Sequence, residues 1–352
     1  MKRVAEVEAA VGETEEVPSK RPKTGHASSS AGSQQQLMAV PKRTSGLKAP
    51  IMLLEGHGGE VYTCRMSPNG EHLASAGFDR SILLWNIYGN CENFCALEGH
   101  KNAILEVNWS TDGSRLYSAS ADKTCVTWDA VYGERVKILK GHESHVNSIH
   151  PARRGPELLC SGSNDGTVKL WDMRQRKCVH TFQGNIPITS VSFSDAADQI
   201  FAASIDSGIK VWDIRSQSLE MTLKGHTDSV TGIRLSPDGT QLASNSMDNT
   251  VRVFDVRPFV AGDRCTRVLY GVQHGIDKNL LRCSWSSGGT KLSAASAESP
   301  GYVLVWDVFS RKILYKLPGH KGSVNDVDFH PTEPILASCS SDKTLYLGEL
   351  DV

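Results

Sequence analysis

Between residues 50 and 352 the chain is a succession of short stretches in which apolar and polar residues alternate, each closed by a turn rich in Gly, Asp, Asn or Pro. Val61-Tyr62-Thr63-Cys64-Arg65-Met66 leads into Ser67-Pro68-Asn69-Gly70, and Leu73-Ala74-Ser75-Ala76 is followed by Ile82-Leu83-Leu84-Trp85. Branched and aromatic residues in such runs, separated by residues that favour tight bends, predict strands joined as hairpins. The turn returns in kind at Thr111-Asp112-Gly113 and at Ser236-Pro237-Asp238-Gly239. No segment carries a sustained helical period, so an all-β fold is expected.

The pattern repeats as a unit. An aromatic closes a strand at Trp85, Trp128, Trp171, Trp212, Phe254 and Trp306, in steps of 43, 43, 41, 42 and 52 residues, and a further 42 residues lead to Gly348. An Asp stands six residues before most of these positions, at Asp79, Asp122, Asp165, Asp206, Asp248 and Asp342. A Gly-His pair precedes all of them but Asp206 by 22 or 23 residues, with its His at His57, His100, His142, His226 and His320. Seven units of this kind make one domain despite the length of the chain. The frame from Gly-His to Trp-Asp resembles WD40 repeats over residues 50 to 352, which implies a seven-bladed β-propeller with four strands in each blade.

A sheet protein has to manage its edges. The seventh unit supplies only three strands by Leu345-Tyr346-Leu347-Gly348-Glu349, while Ile51-Met52-Leu53-Leu54 precedes the first Gly-His as an orphan strand. The resemblance implies that the N-terminal strand completes the last blade, so residues 51–54 are expected to pair with residues 344–349.

The recurring polar residues invite a catalytic reading. His57, Ser75, Asp79 and Trp85 return as His100, Ser118, Asp122 and Trp128, and again as His142, Ser161, Asp165 and Trp171. A hydrolase needs its Ser-His-Asp set once, and this set is complete three times over. The structural reading is that Asp accepts from turn amides and from the imidazole, His links Asp to the Ser hydroxyl, and Ser accepts from the indole N–H. A buried polar group left without its partner costs about 1–3 kcal/mol, so members are expected to be kept or lost together. The fourth repeat has Asn185 and Ala202 at the His and Ser positions; the sixth has Ala294 and Glu298 where Ser and Asp would stand. Blades four and six are therefore expected to be the softer ones.

Composition narrows the partners. A formal net charge of −1 disfavours a propeller that grips nucleic acid by phosphate charge alone. There is no apolar run near the ~18 residues of a membrane span, and the charged N-terminus does not read as a signal peptide. Nine cysteines without a pairing pattern fit a reducing compartment. Cys91 and Cys95 lack a second pair or a His set at zinc spacing, so no metal site is assigned. Phosphate-loop, dinucleotide and nucleophile-elbow motifs are missing, and His142-Glu143-Ser144-His145 has its two His one residue too close for a zinc-protease motif. The expectation is no enzyme, no cofactor and no small-molecule substrate.

Residues 1–49 differ in kind: acidic from Glu6 to Glu16, then basic, then rich in Ser and Gln. They are expected to form a disordered tail. Lys20, Arg21 and Lys23 make a candidate nuclear import signal.

Segments outside the consensus frame carry a narrower resemblance. They include residues 48–54, 150–158, 160–172, 247–259 and 311–320, together with Lys278-Asn279-Leu280-Leu281-Arg282-Cys283-Ser284-Trp285. They resemble the WD40-repeat subunits of the spliceosomal U5 small nuclear ribonucleoprotein. This implies a non-catalytic scaffold of the U5 particle, the tri-snRNP and the spliceosome, acting in pre-mRNA splicing in the nucleus. Its partners would be the large central splicing scaffold protein and other U5 proteins, with RNA contact secondary. The alternative is a substrate receptor of a cullin–RING ubiquitin ligase, because Trp171-Asp172-Met173-Arg174 and Trp212-Asp213-Ile214-Arg215 have the Trp-Asp-x-Arg form of such receptors. Candidate partner-binding residues on one face are Phe78, Ile205 and Met247, each just before the turn Asp, with Glu60 and His145 nearby. Arg153 and Arg154 are the candidates on the other face.

Overall fold

The computed structural model describes residues 43–350 apart from Arg176, Ala261 and Ser299. Alternation and tight turns produce seven antiparallel sheets of four strands each. Blade one, typical of the rest, consists of Val61–Met66, His72–Gly77, Ser81–Asn86 and Asn93–Glu98. The first strands of successive blades lie side by side, and that of blade seven, Val324–Phe329, returns to blade one. The chain is a closed seven-bladed β-propeller.

Each junction between blades has its own apolar filling. Ala74, Ala76, Ile82 and Leu84 of blade one, for example, pack against Ile104, Val107, Leu116 and Trp128 of blade two. Polar side chains also tie the inner strands to one another. Asn108 Nδ2 donates to Ile149 O (2.5 Å), Asn147 Nδ2 to Ile188 O (2.6 Å), Thr189 Oγ1 to Val230 O (2.5 Å), Thr231 Oγ1 to Leu281 O (2.8 Å) and Asn325 Nδ2 to Val61 O (2.7 Å). These bonds satisfy carbonyls that face a neighbouring blade where no strand pairs with them.

The closing strand is Ile51–Glu55, paired antiparallel with Thr344–Glu349 from Ile51 opposite Gly348 to Glu55 opposite Thr344. The expected closure is therefore present. The compact unit begins earlier than the expected boundary after residue 49, at Arg43. Arg43 Nε donates to Glu349 Oε2 (2.7 Å), Ser45 N to Glu349 Oε1 (2.8 Å) and Gly46 N to Glu333 Oε2 (2.8 Å), while Leu47 is buried. These backbone and side-chain donors meet two acids of blade seven, and sequence polarity alone gave no sign of them. The candidate import residues Lys20, Arg21 and Lys23 lie outside the described residues.

Candidate functional site

The repeated polar residues are hydrogen-bonded to one another within their blades. In blade one His57 Nδ1 lies 2.7 Å from Asp79 Oδ2, His57 Nε2 lies 2.7 Å from Ser75 Oγ, and Trp85 Nε1 donates to Ser75 Oγ at 2.8 Å. The same three links join Asp122, His100, Ser118 and Trp128 at 2.8, 2.7 and 2.8 Å. They join Asp165, His142, Ser161 and Trp171 at 2.8 Å throughout. Blades five and seven keep the His–Asp and His–Ser links, at 2.8 and 2.7 Å for His226 and 3.2 and 2.9 Å for His320. All five histidines are buried and engaged through both ring nitrogens. The Ser hydroxyl also faces a strand carbonyl, Ser118 Oγ lying 3.4 Å from Val126 O. No hydroxyl of the set is placed to attack a substrate.

The turn aspartates of the five blades that keep the His are held as anions. Burial opposes ionisation of Asp122, and hydrogen bonds from His100, Thr124 and the Lys101 amide outweigh it, holding the carboxyl well below its ordinary range. Asp165, Asp248 and Asp342 are held low in the same way. Thr124, Thr167, Thr250 and Thr344 each donate a hydroxyl to the turn Asp at 2.6 Å. Blade one has Ser81 there, which donates its backbone N–H to Asp79 Oδ1 at 3.3 Å and adds only a smaller side-chain contribution.

Departures from the set have different outcomes in the two altered blades. With Ala202 in the Ser position, the buried Trp212 indole N–H has no protein acceptor among the described residues. Asp206 is held by Ser204 Oγ and lies 3.7 Å from Lys210 Nζ. Blade six, expected to be softer, replaces its lost partners with backbone acceptors. Trp306 Nε1 donates to Tyr270 O (3.1 Å), Tyr302 Oη donates to Gly271 O (3.0 Å), and Val272 is buried beside them. In blade seven, which lacks the Trp, Tyr346 stacks edge-on to His320 at 4.7 Å between ring centroids.

The turns between second and third strands open at one end of the ring, here termed the His–Asp face. Their first residues donate backbone N–H groups to the residue just before the inner strand: Phe78 to Glu60 O (2.8 Å), Asn164 to His145 O (2.9 Å), Ile205 to Pro187 O (3.3 Å) and Met247 to Ser229 O (2.9 Å). Phe78 is 62% exposed and Ile205 48%, Met247 is half-buried, and Glu60 and His145 are exposed. Ile205 and Met247 are linked through Ser229, whose Oγ donates to Ile205 O at 3.1 Å. Phe78 instead edges a cavity of about 310 Å³ with Tyr62, Ala103, Leu105, Lys278 and Leu280. The connection between blades five and six, whose segment from Lys278 stands outside the repeat frame, brings Lys278 and Leu280 there.

The opposite face receives Arg153 and Arg154. Arg153 is not a free rim cation: Nη1 and Nη2 donate to Ser236 O (2.7 Å) and Leu235 O (2.9 Å). Arg154 is exposed and pairs with Asp195 at 2.9 Å. The Trp-Asp-x-Arg arginine of blade three folds back onto its own turn, Arg174 Nη2 lying 2.7 Å from Asp172 Oδ2; Arg257 does the same with Asp255 at 2.5 Å.

A feature absent from the sequence expectations lies around the axis. Arg65, Glu106, Arg282, Asp326 and Asp328 are all buried on inner strands or at their ends. Arg65 Nη1 meets Asp326 Oδ1 at 2.9 Å, Arg282 Nη1 meets Glu106 Oε1 at 2.8 Å, and Arg65 Nη2 lies 3.5 Å from the same Glu106 oxygen. Glu106 Oε2 also accepts from Ile149 N (2.9 Å). Burial pushes the Asp326 carboxyl up, with the two guanidiniums opposing. The available signal was charge in the middle of otherwise apolar strands. Among the described residues no cluster of His, Cys, Asp and Glu is arranged to hold a metal ion.

The family model for the WD domain, G-beta repeat, matches residues 48–86, 91–129, 133–172, 176–213, 217–255 and 311–347. The U5 small nuclear ribonucleoprotein 40 kDa protein of Homo sapiens is 59% identical over 325 residues, covering 91% of this chain and 90% of that protein. Its Bos taurus counterpart is 58% identical over 333 residues, covering 93% and 92%. The pre-mRNA-splicing factor cwf17 of Schizosaccharomyces pombe is 43% identical over 313 residues, covering 89% and 91%.

Proposed function

The chain belongs to the WD40-repeat family, alongside the U5 small nuclear ribonucleoprotein 40 kDa proteins, and from that premise we propose that it is a non-catalytic interaction scaffold of the U5 particle in pre-mRNA splicing. The observation that carries this reading is identity of 57–59% to mammalian proteins of that name across at least 91% of the chain. A splicing role sets its place of work in the nucleus. Its principal partner is the large central splicing scaffold protein, with other U5 proteins nearby and RNA contact secondary.

The chemistry of the repeated set supports a scaffold. A triad-like His-Ser-Asp group that recurs in five blades, buried and closed on itself, contributes to packing and offers no nucleophile. The His–Asp face supplies the docking surface. Phe78, at the edge of its cavity, is an anchor of the kind that dominates interface energy, and the Ile205–Met247 pair forms a second contact.

The test is affinity purification of the tagged chain from nuclear extract, followed by assays for U5 RNA, the splicing scaffold protein and a cullin–RING adaptor. Recovery of the first two without the adaptor supports the proposal, and adaptor without U5 RNA overturns it. Phe78→Ala combined with Met247→Ala should reduce scaffold recovery. Unchanged recovery would move the interface to another face.

A further inference from the structure

At the end opposite the His–Asp face, the axial channel widens into a cavity of about 480 Å³. Arg65, Asn108, His150, Arg153, Arg234 and Asp328 are among the side chains that line it. Arg65 is neutralised from behind by Asp326, and the other two arginines are less well matched. Arg234 Nη2 approaches Asp328 only to 3.6 Å, and its Nη1 lies 3.4 Å from Asn108 Oδ1. Asp328 is already occupied, accepting from Ser284 Oγ at 2.8 Å and from Met66 N at 2.9 Å. Arg153 comes no closer than 3.9 Å to Asp195, which is claimed by Arg154 at 2.9 Å. Asp238 on the rim holds its own turn through the Ser236 and Thr240 hydroxyls.

A well-formed arginine–carboxylate pair has N–O distances of about 2.7–2.9 Å. Neither Arg153, whose fork is held only by the neutral carbonyls of Ser236 and Leu235, nor Arg234 has one, although both are largely withdrawn from water: their side chains are 27% and 21% exposed. Burial, together with the neighbouring Arg234, pushes Arg153 down to about 10. Burial and the three arginines hold the His150 imidazole well below its ordinary range, so it adds no cation at neutral pH. Trp109 and Trp285 donate indole N–H groups to Arg65 O and Arg234 O at 3.0 Å, which fixes the strands that present the guanidiniums. The cavity has room for far more than one water, whose share of liquid volume is about 30 Å³.

We propose that this mouth is a binding site for an oxyanion, a phosphate or carboxylate group, held between the guanidiniums of Arg153 and Arg234. Anion binding relieves the repulsion between two partly desolvated cations and gives each the close acidic partner it lacks. The site goes beyond the scaffold reading and does not depend on it.

Titration calorimetry on the intact chain tests the site with inorganic phosphate and, separately, glutarate, at ionic strength held constant with sodium chloride. Saturable heat with either probe is expected, and the stronger one identifies whether a tetrahedral phosphate or a planar carboxylate is the natural group. Arg234→Gln and Arg153→Gln should each weaken binding about tenfold, as for loss of a charge-assisted contact. Arg174→Gln, on the outer rim, should bind as the parent chain does. Should either Gln variant fail to fold by circular dichroism, Arg153→Lys keeps the charge and loses the fork, and should bind between the parent and the loss. Absence of saturable heat with both probes overturns the site, as does parental affinity in folded Arg153 and Arg234 variants.

Discussion

At the residue scale the repeated set shows how a hydroxyl decides whether a buried indole is satisfied. Ser118 accepts from Trp128, while Ala202 leaves Trp212 without an acceptor. Ser118→Ala should therefore destabilise the chain by about 1–3 kcal/mol in denaturant unfolding, since both His100 and Trp128 lose a partner. Ala202→Ser should do the reverse, stabilising by about 1 kcal/mol, because the new hydroxyl meets the waiting indole. A loss of stability in the second variant would mean that the pocket cannot admit the oxygen. The turn aspartates add a pH dependence. Their folded carboxyls are depressed, so the stability they contribute is present above the ordinary Asp range and is lost as pH falls below about 4. Asp79, lacking the threonine hydroxyl of the other four, should protonate first. Carboxyl-resolved NMR titration in acid checks that order, and finding Asp79 the lowest of the five would contradict it.

At the element scale the regularity of the repeat has a mechanical counterpart. In six blades the third strand pairs with the fourth through a bulge placed just before the aromatic, between Leu84 and Trp85, Thr127 and Trp128, and so on to Val305 and Trp306. A bulge re-aims the side chain that follows it. Thr344–Glu349 pairs with Ile51–Glu55 without one, and there the aromatic position is Gly348. The closing strand buries Leu54 and covers what would otherwise be an open edge. Deleting residues 51–54 should open the ring, lowering the melting temperature and removing hydrogen-exchange protection first from the amides of Thr344–Glu349. Unchanged melting would sink that role. Period, strand order and polar networks were legible because each is written within a single unit. The docking of residues 43–47 was not, because Arg43 and Gly46 are polar or small and their acceptors, Glu349 and Glu333, lie at the far end of the chain. The Trp306 rescue was equally hidden, since its acceptor is a backbone carbonyl at Tyr270.

At the scale of the whole molecule the blades are neighbours in a ring, and stability is a sum of blade and junction terms with no free ends. Blade four, with its unsatisfied indole, should open before blade two in hydrogen exchange. The axis is where non-neighbouring blades meet, and its charges set a cooperative constraint that sequence patterns within one repeat cannot express. Glu106 of blade two holds Arg282, at the start of blade six, and Ile149 of blade three, and it faces Arg65 of blade one. Glu106→Gln keeps the shape but removes the charge that Arg282 meets at 2.8 Å, leaving two buried guanidiniums to face Asp326. Breaking a buried pair from one side costs about 3–5 kcal/mol, largely through the charge left behind. Removing Arg282 as well should restore much of that loss, so Glu106→Gln with Arg282→Met is expected to be less destabilised than the sum of the single variants by more than about 1 kcal/mol. The exposed pair Arg115–Glu157, at 38% and 41% side-chain exposure, is the comparison; Glu157→Gln should change stability by less than about 1 kcal/mol. Additive losses at Glu106 and Arg282 in denaturant unfolding would mean that water already screens the axis, and the ring would then owe its closure to apolar junctions and the closing strand alone.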